Sequence, residues 1–118
     1  MSLAFVLALA AGAARAEPPA SASMKCETGP VHRQFGGTDW TIYSCDDHHS
    51  IVVVSSEGNP ASPFVFLLTV KSGTYVIHGE GNGSKEASDA AGDDLSRLSQ
   101  VDLTALLAET LVKPVQRR

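Results

Sequence analysis

Trp40-Thr41-Ile42-Tyr43-Ser44-Cys45 and Ile51-Val52-Val53-Val54, separated by Asp46-Asp47-His48-His49-Ser50, are the residues that decide the fold. Aromatic and β-branched side chains crowd both runs, as suits a pleated, half-buried strand, and the polar stretch between them has the length of a hairpin connection built around a type I turn. The two runs therefore form a hairpin. Glu57-Gly58-Asn59-Pro60-Ala61-Ser62-Pro63 is then a cluster of turn formers, and Phe64-Val65-Phe66-Leu67-Leu68-Thr69-Val70 follows it. That run is apolar at odd and even positions alike, which places it as a central strand covered by helices on at least one side. Lys71-Ser72-Gly73 turns the chain into Thr74-Tyr75-Val76-Ile77-His78, giving a second hairpin. Trp40, Tyr43, Phe64, Phe66 and Tyr75 all fall on these strands, where packing is their expected role.

After Gly79 the apolar period changes from two to about 3.6. Ala87, Ala90, Ala91, Leu95 and Leu98 share one helical face, with Lys85, Glu86, Asp89, Asp93, Asp94 and Arg97 mostly on the other. Ser84 is the expected N-cap, and Gly92 either weakens this helix or marks a close contact. A second helix starts at Ser99. Ser99 and Asp102 have capping-box spacing, Leu98 and Leu103 that of a hydrophobic staple, and Val101, Leu103, Leu106, Leu107 and Leu111 supply the apolar side before Pro114 stops the helix. Strands first and helices afterwards predict an α+β domain, a four-stranded antiparallel sheet of two hairpins followed by two C-terminal helices packed on one face. Upstream, residues 28–38 contain Gly29-Pro30 and Gly36-Gly37 and read as a loop or a short irregular strand.

The N-terminus sets the compartment. An apolar stretch from Leu3 to Ala14 leads into Ala14-Arg15-Ala16, the small-x-small pattern of a signal peptidase site, and then into Glu17-Pro18-Pro19. Residues 1–16 are accordingly expected to be a signal peptide, 17–25 a disordered leader, 26–113 the single domain and 114–118 a tail. The protein is expected in the periplasm or secreted. The apolar stretch is too short to span a bilayer, which takes about 20 residues. Export also puts Cys26 and Cys45 in an oxidising compartment, where an even count in a small domain is usually paired; a loop of about twenty residues stabilises by about 3 kcal/mol in the chain-entropy model.

Composition narrows the partners. The 118 residues are 43% hydrophobic and carry 9 basic against 13 acidic side chains, a formal charge of −4 that becomes one unit more negative once Arg15 is removed. Lys and Arg are scattered rather than striped, so nucleic acid is not an expected partner.

Two loops hold the candidate site residues. Asp46, Asp47, His48 and His49 offer carboxylates and imidazoles at a hairpin tip; His48, His49 and Asp46 are the candidate metal ligands, with Asp47 or His78 able to join them. Consecutive residues on an extended chain point to opposite sides, which argues for a solvated turn instead. His78-Gly79-Glu80-Gly81-Asn82-Gly83-Ser84-Lys85 fits neither phosphate-loop template, because Ser84 precedes Lys85 and the third glycine comes one position early. Its glycines read as a flexible connection, and Asn82-Gly83-Ser84 matches the N-glycosylation acceptor pattern.

No serine sits in a G-x-S-x-G elbow, and His78 with Glu80 is the least implausible acid/base pair. The expectation is a non-enzymatic binding module, an inhibitor or accessory factor that needs no cofactor and meets a protein or envelope component through Asp46, Asp47, His48, His49, Glu80 and Asn82. The alternatives are a metal-binding protein using the Asp46–His49 loop and a small hydrolase.

Overall fold

The computed structural model describes residues 24–112; the expected signal peptide, residues 17–23 of the expected leader and the expected tail at 114–118 lie outside them. Five strands, β1 (Thr28–Phe35), β2 (Thr38–Ser44), β3 (Ile51–Ser55), β4 (Phe64–Lys71) and β5 (Thr74–Gly81), precede two helices, α1 (Lys85–Ser96) and α2 (Gln100–Leu111). The strands run as an antiparallel meander in the order β1-β2-β3-β4-β5. The α+β class, both hairpins and both helices match the sequence reading.

The strand count does not: the sheet has five strands where four were expected. The additional one is β1, whose sequence hides it. Gly29 sits at φ 134°, the Gly29–Pro30 bond is cis, the register shifts between Thr28 and Val31, and His32, Arg33 and Gln34 are all exposed. What holds β1 is its ladder to β2, from Val31↔Ile42 to Phe35↔Thr38, together with the Cys26–Cys45 disulfide just below its start. A further difference is at β5, which continues through Gly79 and Gly81 instead of giving way to a flexible connection after His78.

Those two glycines are structural. A Cβ on Gly79 would meet the Phe64 and Phe66 rings at 2.9 Å, and one on Gly81 would meet the Pro63 carbonyl at 2.2 Å, so the aromatic rings of β4 lie across a strand stripped of side chains at these positions. Phe64 and Phe66 pack at 4.9 Å between ring centroids and Trp40 stands 5.3 Å from Phe66. This trio occupies the helix side of the sheet. With it, Ile42, Ile51, Val53 and Leu68 from the strands and Ala91, Leu95, Leu103 and Leu106 from the helices form one buried cluster.

Capping follows the expected chemistry. Ser84 accepts from the Ala87 amide at 3.2 Å, and Ser99 with Asp102 makes a reciprocal capping box, 3.0 Å and 2.9 Å. Gly92 faces the Phe66 ring, where a Cβ would stand 3.4 Å away, an ordinary van der Waals contact. On α2 the inward positions are Leu103, Leu106 and Thr110, while Val101 and Leu111, expected on the apolar side, are exposed. Thr110 earns its burial by donating to the Leu107 carbonyl and bonding Ser44 Oγ, each at 2.6 Å, which ties α2 to β2 through a satisfied polar pair. Arg33 on β1 makes an ion pair with Glu109 on α2, and the Gly36 amide donates to Asp94 on α1 at 2.5 Å.

Candidate interaction surface

Antiparallel register assigns every strand residue to one of two faces. Val31, Arg33, Trp40, Ile42, Val53, Ile51, Phe66, Leu68 and Ile77 share the face under the helices. The opposite face has no helix on it among the described residues. Its rows read His32–Thr41–Val54–Val65–Glu80 and, one step along, Tyr43–Val52–Leu67–His78, with Thr69 paired to Val76 beyond them. Tyr43, Val52, Val54, Val65, Leu67 and Val76 are all half-buried: neighbouring side chains shade them, but no second layer formed by the described residues covers them. A contiguous apolar patch rimmed by polar groups is what a protein contact surface presents.

The candidate residues split between the two ends of this sheet. Residues 46–50 join β2 to β3 at the end that also holds the disulfide and the β4–β5 turn, whereas Glu80 and Asn82 lie at the opposite end, beside the 56–63 loop. Between Tyr75 and Glu80 the strand rise alone separates the ends by roughly 16 Å. The six residues expected to meet a partner thus form two clusters, with the apolar rows lying between them.

At the disulfide end the carboxylates are occupied in building the loop. Asp47 accepts from the His49 amide at 2.9 Å, the Ser50 amide at 2.8 Å and the Ser50 hydroxyl at 2.6 Å. Partial burial pulls its pKa upward, but the Ser50 and His49 hydrogen bonds and the nearby His49 charge outweigh that and hold it below the usual value. Asp46 fastens the incoming chain: its Oδ1 accepts from the Lys25 amide at 3.2 Å, and its own amide donates to the Lys25 carbonyl at 2.8 Å. His48 adopts φ 66° at the turn, and the Tyr75 hydroxyl donates to the His49 carbonyl at 2.8 Å. Burial, followed by the Asp47 charge, raises the Tyr75 pKa. His48 and His49 remain exposed, and among the described residues no three His, Cys, Asp or Glu side chains gather as a metal cluster.

At the other end, Glu80 and Asn82 border an open concavity of about 630 Å³ floored by Val54, Val65, Pro63 and Phe64. Glu80 pairs across the ladder with Val65 and so points to the helix-free side, as does His78 beside Leu67. His78 and Glu80, the sequence's acid/base pair, therefore share a face on the exposed strand β5. Asn82 donates its backbone N–H to the Pro63 carbonyl at 2.9 Å and sits beyond the last residue of the strand.

Loop residues were the sequence's candidates for contact, and the apolar rows of the sheet were missed. Their signal was present in the two-faced apolar pattern of residues 64–70, combined with a helix count too small to cover both sides. Compared with family models, curated proteins and solved structures, the chain matches none. Both cysteines are paired, which is compatible with an oxidising compartment, and no helix among the described residues is long and apolar enough to cross a membrane.

Proposed function

We propose that this protein is a small exported binding module, periplasmic or secreted, that engages a protein or envelope component across the helix-free face of its sheet. The observation that carries the reading is one-sided coverage: β2, β3 and β4 place Tyr43, Val52, Val54, Val65 and Leu67 together on a face that no described element shields. A broad, open apolar patch suits a protein surface better than a small ligand, whose sites are concavities that bury most of the ligand. Glu80 and Asn82 flank the patch at one end, and the exposed His48 and His49 stand at the other. Asp46 and Asp47 act as loop-forming residues that fix where those imidazoles are presented.

Affinity capture from the native envelope or extracellular fraction tests this. Wild type should recover a defined partner that Leu67→Lys loses while keeping its thermal midpoint, with Asp46→Asn and Asp47→Asn weakening capture less. Recovery of nothing by wild type, or an identical set of proteins with Leu67→Lys, contradicts the reading.

A further inference from the structure

The sheet has two edges, and they are finished differently. β1 is irregular, with a proline at position 30, a register shift and Arg33 turned toward α2, all of which spoil it as a template for another strand. β5 has none of these devices. It pairs with β4 in unbroken register over eight residues, from Phe64↔Gly81 to Lys71↔Thr74, and contains no proline, lysine or arginine. Among the described residues no strand lies on its far side.

The turn geometry fixes which backbone groups that edge offers. Ser72 and Gly73 have φ 53° and 79°, a two-residue turn of the primed kind, so the flanking Lys71 and Thr74 are a hydrogen-bonded pair. Alternation then directs Thr74, Val76, His78 and Glu80 toward β4. The Asn82 amide, bonded to the Pro63 carbonyl, keeps the same alternation past the strand's end. Tyr75, Ile77, Gly79 and Gly81 are left with their N–H and C=O groups facing outward.

We propose that two copies of this chain pair antiparallel through β5, about a two-fold axis at His78, to make one continuous ten-stranded sheet. Among two-fold registers this one alone uses every outward group, setting Tyr75 of one copy against Gly81 of the other and Ile77 against Gly79. It sets no carboxylate against another, and the residue that meets itself on the axis is His78. Glu80, the one acidic residue on the strand, faces Val76 of the second copy, and the two Glu80 carboxylates stand four residues apart along the ladder, roughly 14 Å by the strand rise. Such pairing leaves the helix-free face uncovered and doubles its length, so it is independent of what that face binds.

Sedimentation velocity of the purified protein over a wide concentration range tests the pairing. Wild type should sediment as a dimer at high concentration. Val76→Glu, which sets two carboxylates opposite each other at both ends, should halve the mass, and adding Glu80→Lys should restore the dimer. Circular dichroism establishes that each variant is folded, and amide exchange on wild type gives a readout free of substitution: protection at Tyr75, Ile77, Gly79 and Gly81 should fall on dilution into the monomer range. A wild type that stays monomeric overturns the proposal, whether its edge is idle or takes an extended segment of another protein. So does a dimer that survives Val76→Glu, or one in which those four amides exchange at the same rate at every concentration.

Discussion

Phe66 and Leu67 are consecutive residues of β4, both large and apolar, and they occupy different environments. Phe66 lies under the helices against Trp40, Phe64 and Gly92, whereas Leu67 stands between Val52 and His78 with no second layer above it among the described residues. The side chains are chemically alike; what separates them is that two helices cover one side of a five-stranded sheet. On one face hydrophobic residues hold the fold together, and on the other they are available to something else.

Truncation should separate the two faces most sharply. Phe66→Ala removes a buried ring from the centre of the core and should lower unfolding free energy by about 3–5 kcal/mol, while Leu67→Ala should cost less than about 1 kcal/mol. Both are read by denaturant titration, and equal losses would break the comparison. A smaller effect sharpens it from the other direction. Gly79→Ala drives a methyl group into the Phe64 and Phe66 rings and should destabilise by about 1–3 kcal/mol, even though the substitution favours the strand by propensity. If the variant is as stable as wild type, the rings do not lie across β5.

The smallest effect belongs to the loop at the disulfide end. Because the folded-state pKa of Asp47 is lowered, its carboxylate contributes stability at pH values above its ordinary value near 3.8, and that contribution is lost as pH falls below it. The gap in thermal midpoint between wild type and Asp47→Asn should therefore be present at neutral pH and close as the pH is lowered toward about 3. A gap that widens on acidification would contradict the hydrogen bonding of the loop.

Much of this molecule was legible from its residues, and the exceptions have physical causes. The hairpins of residues 40–54 and 64–78 announced themselves through β-branched and aromatic content, and Ser84, Ser99 and Asp102 marked the helix starts because capping is local chemistry. β1 was legible only as one of two alternatives, a loop or a short irregular strand, since His32, Arg33 and Gln34 carry no alternating apolar signal and the strand depends on a partner ladder and a disulfide distant in sequence. Gly79 and Gly81 misled for a related reason. Glycine ordinarily marks a turn, but here it makes room for rings contributed by another strand. Asp46 and Asp47 attracted attention as charged groups at a loop tip, although hydrogen bonds to Lys25, His49 and Ser50 commit them to the loop itself. The interaction surface could be read only in outline, because which strand residues meet the helices is settled by register.

Methyl NMR with a soluble paramagnetic probe tests one-sided coverage most directly. The account predicts strong broadening of the Val52, Val54, Val65, Leu67 and Val76 methyls and little at Val53, Leu68, Leu95 and Leu103. Equal protection of the two sets would mean that both faces are covered, and the helix-free surface would not exist.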